Sequence, residues 1–276
     1  MDDVATMRKK IDEAAQYITA RVDSPAKIGI ILGTGLQSLD EGIDLEGTVD
    51  YEDIPHFPIS TVENHTGKLL LGRLEGKPVI CMQGRFHYYE GYSFQEIAFP
   101  IRVFKKLGVD TLIVSNACGG LNPNFVSGDI VLIKDHINFF PGNPLIGPND
   151  NDLGPRYPDM YGVYDFDLIK LAKEIAIEQK VRLQEGVYVG VPGPMLETAA
   201  EYRMFRIMGA DVVGMSTVPE VIAARHCGIR AMGFSIVTDM GLPDALQPLN
   251  IEEVIAIAGK AEPVLREIIA GCVQRM

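Results

Sequence analysis

The chain has 276 residues, 47% of them hydrophobic, and a formal net charge of −12. That length and apolar content support a sizeable core and exclude a disordered chain. The acidic balance excludes a non-specific nucleic-acid binder, which needs a basic footprint, and disfavours an anionic membrane surface.

Residues 4–22 carry apolar side chains at helical spacing (Val4, Met7, Ile11, Ala14, Ala15, Ile18) and predict an opening helix. This charged, amphipathic start has no signal-peptide h-region, and no apolar run is long enough to span a bilayer, so a cytoplasmic protein is expected. Residues 27–32 form a β-rich run ending in Gly33-Thr34-Gly35. Residues 69–71 and 79–82 predict a strand pair turning at Glu75-Gly76. A helix is expected over 94–107 with Ser93 as its cap, then strands over 111–115 and 129–134. Residues 138–164, rich in Pro, Gly, Asn and Asp, predict a long irregular loop, usually functional inside a compact domain. A helix (166–179), strand (186–191), helix (197–208), short β segment (211–215), helix (218–227) and strand (230–238) follow. Residues 240–250 predict a second irregular loop and 251–273 a closing helix. Strands alternating with helices predict an α/β fold with a largely parallel or mixed sheet in one domain, residues 1–276. The cysteines, Cys81, Cys118, Cys227 and Cys272, form no C-x-x-C pair and read as buried free thiols of a reducing compartment.

The most informative stretch runs from Met82 to Tyr92. After the apolar run Pro78-Val79-Ile80-Cys81, Gly84 breaks the strand and offers Arg85 and His87 at alternate positions, on one face of an extended backbone. A guanidinium fork beside an imidazole suits an oxyanion, and tyrosines beside it suit a sugar or a base. Gly33-Thr34-Gly35 reads as a phosphate-approaching turn or an ordinary one; it lacks the Lys-Ser/Thr ending of a Walker loop and the third glycine of a dinucleotide fingerprint. Asn116-Ala117-Cys118-Gly119-Gly120 follows a buried strand, where ligands of α/β proteins sit. His65 lies in a polar segment, and no histidine or acid shows metal-ligand spacing. Glu197, in the sequence Gly193-Pro194-Met195-Leu196-Glu197-Thr198, reads either as dipole compensation in a helix first turn or as an acceptor for a heterocycle N–H. Ser216 and Thr217 stand at a helix entrance, with Glu220 placed for a capping-box-like arrangement and the helix N-terminus available to an anion. Asp239 ends an apolar strand, as a turn former or a poised acid.

Together these segments resemble the purine nucleoside phosphorylases of the homotrimeric, low-molecular-mass class. The resemblance runs from about Ile28 to the last helix and is carried by Gly33-Thr34-Gly35, His65, the segment from Gln83 to Tyr92, Asn116-Ala117-Cys118-Gly119-Gly120-Leu121-Asn122-Pro123, and Gly214-Met215-Ser216-Thr217-Val218-Pro219-Glu220. It implies a phosphorylase/hydrolase-like fold, a central mixed sheet, partly barrel-like, flanked by helices. It implies phosphorolysis of purine nucleosides to free base and (deoxy)ribose 1-phosphate in purine salvage. Inorganic phosphate is then a co-substrate, and neither cofactor nor metal is required. The resemblance assigns phosphate to Thr34, His65, Arg85, His87, Ala117 and Ser216. Ribose falls to Tyr89, Met215 and Ile251, with Tyr157 lent by a neighbouring subunit. The base falls to Asn116, Ala117, Leu196, Glu197, Val213 and Asp239, and catalysis to His87, Glu197 and Asp239.

Three departures bear on substrate choice. Asp239 replaces the Asn usual in 6-oxopurine enzymes, and a carboxylate can accept from a 6-amino group. Ile251 replaces a histidine near the 5′-hydroxyl, and Leu196 replaces a phenylalanine. The first two point to the related methylthioadenosine phosphorylases. Glu197 and Ser216 point back to inosine and guanosine and are expected to prevail. A non-catalytic nucleoside binder would not need an anion pocket, and a nucleoside hydrolase would need a calcium-binding Asp cluster that the N-terminal region lacks.

Overall fold

The computed structural model describes residues 3–22, 25–33, 41–59 and 67–276. In chain order the elements are α1 (Val4–Thr19), β1 (Ile28–Leu32), β2 (Asp44–Asp50), β3 (Lys68–Leu74), β4 (Lys77–Gln83), α2 (Phe94–Lys106), β5 (Thr111–Gly120), β6 (Ile130–Asn138), α3 (Phe166–Glu178), β7 (Leu183–Gly190), α4 (Ala199–Ile207), β8 (Val212–Gly214), α5 (Val218–His226), β9 (Arg230–Met240) and α6 (Ile251–Arg275). The expected elements are present. β2 has no counterpart in the sequence reading. Its residues Asp44 to Glu46 are exposed, so the strand shows little of the apolar alternation that would reveal it.

Alternating side chains sort the strands between two helical layers. Ile31, Leu69, Leu71, Ile80, Met82, Leu112 and Val114 join a buried cluster with α1, α2 and α5. Their neighbours Ile30, Leu32, Leu70, Val79, Cys81 and Ile113 join a second cluster with α3 and α6. Burial on both faces explains why these strands read as continuous apolar runs. The helices begin where their caps dictate: Asp3 accepts from the Thr6 N–H at 2.7 Å, and Ser93 forms a capping box with Glu96.

The strands lie in the order β2-β3-β4-β1-β5-β8-β7-β6-β9, and β9 pairs back onto β5. β5, β8, β7, β6 and β9 therefore close into a ring, while β1 to β4 form an open arm, which is the mixed, partly barrel-like sheet expected. β1 runs parallel to β4 and β5, and β5 runs parallel to β9. β8 is antiparallel to β5. The C-terminal ends of β1, β4, β5 and β9 thus lie at one end of the sheet, where ligands of such sheets bind.

Candidate active site

The antiparallel sense of β8 determines where its following residues land. Val212 lies opposite Gly120 and Val213 opposite Gly119, so the chain travels back along β5 and brings Ser216 and Thr217 to Asn116. Asn116 Nδ2 donates to Thr217 Oγ1 at 2.9 Å, and the Ser216 N–H donates to the Tyr188 hydroxyl at 3.2 Å. From the other side, β4 ends at Gln83, Gly84 turns the chain, and Arg85 enters with only 2% of its surface exposed. Its Nη1 donates to Ser216 Oγ at 2.9 Å and approaches Thr217 Oγ1 at 3.4 Å. Its Nε stands 3.2 Å from Glu220 Oε1, a carboxylate as deeply buried as the guanidinium.

The capping box expected at α5 does not form. Thr217 is the N-cap residue, but its side chain makes no cap hydrogen bond, because its hydroxyl is turned to Asn116 and Arg85. Glu220 faces Arg85 instead of the cap. Thr217 also holds φ +69°, which strains a β-branched residue. Such strain persists where surrounding contacts over-determine it, and it concentrates at functional sites.

A notch opens in the sheet beside these groups. β1 pairs with β5 as far as Val114, and β8 first pairs with β5 at Gly119. Between them residues 115–118 pair with β9 on one edge and have no strand partner on the other among the described residues. Asn116 and Ala117 lie in this notch, inside a strand that continues to Gly120 rather than in the turn expected after Ser115. Gly33, just past β1, runs so close that a Cβ there would stand 2.7 Å from the Ser115 carbonyl. Gly33 itself therefore borders the notch. Thr34 and His65 lie outside the described residues.

His87 is 6% exposed. Its backbone N–H donates to Glu90 Oε1 at 2.8 Å, and its ring Nδ1 meets the same oxygen at 2.8 Å. That contact assigns the proton to Nδ1 and directs Nε2 away from Glu90. Tyr89 stacks on the imidazole at 4.6 Å and 15°. Burial, helped by the Glu90 charge, pushes the Tyr89 phenol up to about 12, while the Arg85 charge pulls it back.

A second set of groups surrounds a cavity of about 310 Å³ lined by Leu196, Glu197, Tyr202, Thr238, Asp239 and the chain from Ala245 to Asn250. Thr198 caps α4 and takes Glu201 as its capping-box partner. Glu197 therefore precedes the helix and is not in its first turn. With the cap satisfied by Glu201, Glu197 is available to the cavity. Burial raises the Glu197 carboxyl above its usual range, with Asp239 adding to the rise and a hydrogen bond with Tyr202 opposing it. Burial also raises Asp239, opposed by the Thr238 hydroxyl that donates to Asp239 Oδ1 at 2.9 Å. Gly119 leaves room here: its Cβ would stand 3.2 Å from Val213 and 3.4 Å from Asp239 Oδ2. Met215 packs on the small apolar cluster that includes Val213 and Tyr202.

Ile251 stands exposed at the start of α6, next to cavity-lining Asn250 and Glu253, and Tyr157 is 88% exposed. A larger cavity of about 520 Å³, between α1, α2 and residues 144–153, is lined by none of the candidate site residues. Thr217, Tyr202 and Glu90 carried no individual role in the sequence reading. The strained Thr217 and buried Tyr202 have no local sequence signal; Glu90 could have been found from its spacing to His87 in a tight turn.

The sequence matches the Phosphorylase superfamily over residues 27–274. It is 50% identical over 269 residues to purine nucleoside phosphorylase 1 of Geobacillus stearothermophilus, covering 98% of each chain. The chain belongs to the purine nucleoside phosphorylases. Among solved structures, isoform 2 of the Schistosoma mansoni purine nucleoside phosphorylase, in complex with cytosine and ribose-1-phosphate, superposes with a TM-score of 0.93 at 44% identity. It covers 97% of this chain and 96% of its own. The S. mansoni purine nucleoside phosphorylase in complex with adenosine superposes with a TM-score of 0.92 at 42% identity, covering 99% and 98%. As a family member this chain is a pentosyltransferase. No helix among its described residues is long and apolar enough to cross a membrane.

Proposed function

We propose that this purine nucleoside phosphorylase acts on inosine, guanosine and their deoxy forms in cytoplasmic purine salvage, the whole chain working as one domain. The reaction is phosphorolysis: phosphate attacks the anomeric carbon as the purine departs, giving (deoxy)ribose 1-phosphate and free base. The observation that carries the reading is the buried Arg85 guanidinium on the Ser216 hydroxyl just past β4, together with a cavity at the end of β9 lined by the carboxyls of Glu197 and Asp239.

In this reading phosphate lies between Arg85, His87, Ser216 and the Ala117 backbone, with Thr34 and His65 completing the seat. Hydrogen bonds from hydroxyl and guanidinium orient it below the sugar, with the His87 imidazole beside it. Tyr89 and Met215 border the ribose, with Ile251 near its 5′ end and Tyr157 reaching it from a neighbouring subunit of a homotrimer. As the glycosidic bond breaks, positive charge grows on the sugar and negative charge on the purine. Phosphate faces the first; Glu197 and Asp239 hold the N1–H and N7 edges and disperse the second. Asn116, Leu196 and Val213 border the base. No protein nucleophile is required. The loop from Met240 to Asn250, part of which lines the cavity, closes over the bound base in this reading and excludes water, favouring phosphate as the acceptor.

Some adenosine or 5′-modified nucleoside activity accompanies the main reaction. Asp239 and Ile251 favour it, and the S. mansoni relative binds adenosine. Rates on inosine, guanosine, adenosine and methylthioadenosine, with and without phosphate, test the proposal. Base release that requires phosphate and is fastest with inosine or guanosine supports it. Release without phosphate, or exclusive use of methylthioadenosine, overturns it. Light scattering tests the trimer.

A further inference from the structure

Glu220 is buried with both carboxylate oxygens shielded from solvent, and among the described residues neither oxygen has a hydrogen-bond partner. Its contact is the Arg85 Nε at 3.2 Å, in a pair whose side chains are 3% and 2% exposed. A buried carboxylate held this way is a costly feature that an apolar residue of similar volume would avoid. Glu220 also stands in the first turn of α5, where its charge offsets the positive end of the helix dipole. The same helix entrance presents Ser216, and the same guanidinium donates to Ser216 through Nη1.

We propose that Glu220 is a positioning residue that attenuates the charge of the phosphate seat. It holds Arg85 by Nε so that Nη1 stays on the Ser216 side. It also cancels most of the positive field that Arg85 and the α5 N-terminus would direct at an oxyanion. This inference rests on the phosphate reading above. Phosphate is then bound by oriented hydrogen bonds more than by net charge, and ribose 1-phosphate, which carries the same phosphoryl group, is released. A seat without the Glu220 charge beside Arg85 would hold both anions more tightly and turn over more slowly.

The test is Glu220→Gln, which keeps the side chain's shape and an oxygen facing Arg85 Nε and removes the charge. Calorimetric titration of the whole protein with inorganic phosphate is expected to show about fivefold tighter binding than wild type. Steady-state assays on inosine are expected to show a lower phosphate KM together with a lower kcat. A merely structural carboxylate predicts the opposite: weaker phosphate binding that tracks a lower melting temperature. Unchanged or weaker binding in a folded Glu220→Gln protein overturns the inference. Should that variant fail to fold, a crystal structure of the wild-type protein with inorganic phosphate decides: Arg85 keeping Glu220 while Nη1 meets the anion supports the role, and Arg85 leaving Glu220 overturns it. The wild-type titration separates the two claims, because absence of phosphate binding there defeats the phosphate reading itself.

Discussion

Asn116 and Thr217 stand 101 positions apart, yet the amide of one donates to the hydroxyl of the other at 2.9 Å inside the protein. This bond fixes the entrance of α5 to the edge of β5 and holds a threonine whose backbone is strained. Asn116→Ala removes it. The expected loss of stability is about 1 kcal/mol, read by urea denaturation, and the phosphate KM is expected to rise because Thr217 no longer anchors the side chains around Arg85. A variant with normal phosphate KM would show that the strained turn is held by other contacts.

Arg85 has two separable roles in the proposed reading. Arg85→Met is expected to raise the phosphate KM roughly 10- to 100-fold. It also strands Glu220 as an unpaired buried charge, at a cost of about 3–5 kcal/mol. Adding Glu220→Leu is expected to recover most of the thermal stability and none of the activity. Parallel melting curves and phosphate titrations of the single and double variants check this. An equal melting point for Arg85→Met and wild type would contradict the ion pair's structural weight.

In the proposed reading Asp239 and Glu197 bear on base choice. Burial raises both carboxyls, so the folded state binds their protons more tightly than the unfolded chain. Their ionisation therefore costs stability as pH rises from the ordinary carboxyl range through their raised values. Asp239→Asn removes one of these charges and leaves an amide oxygen that can still accept from Thr238. It is expected to raise the melting temperature at pH 8 and to shift kcat/KM from adenosine toward inosine. An unchanged ratio would remove Asp239 from base recognition. Glu197→Ala is expected to cost guanosine more than adenosine, since neutral adenine has no N1–H to donate; equal losses would contradict that contact.

His136, on β6, gives a pH effect of opposite sign. Burial lowers its imidazole from 6.5 to about 4, with its Nδ1 at 3.2 Å from the Tyr164 hydroxyl. The unfolded chain takes up the proton first as pH falls. The stability that depends on neutral His136 is whole above 6.5 and is lost as pH falls through about 4, with a total near 3 kcal/mol. Urea midpoints between pH 7 and pH 4 are expected to fall less steeply in His136→Gln than in wild type. Identical slopes would assign the acid sensitivity to other groups.

The architecture was legible because most strands are buried on both faces and most helices announce themselves by caps such as Ser93 with Glu96. β2 was hidden because its first residues face solvent. The ends of β5 and β6 were hidden because their polar residues continue the ladder around the ring, where pairing no longer requires apolar side chains. In the site, Arg85 was visible at alternate spacing with His87 after a strand-breaking glycine, Ser216 at a helix entrance and Asp239 at the end of an apolar strand. Glu220 was visible but misread, since local spacing suggests a cap and only the return of β8 along β5 brings Arg85 within reach. Tyr202 was concealed in an ordinary helical pattern; what distinguishes it is the cavity it borders.

Among the described residues, the notch between Val114 and Gly119 lies where β1 has stopped pairing and β8 has not yet begun. A β1 extended by a few residues would zip over Ala117 and abolish the opening without altering a single polar side chain. Tolerance of insertions is therefore expected to be lowest immediately after Leu32, however permissive surface loops are elsewhere. For a designer, the lesson is that a ligand seat can be made by curtailing a strand.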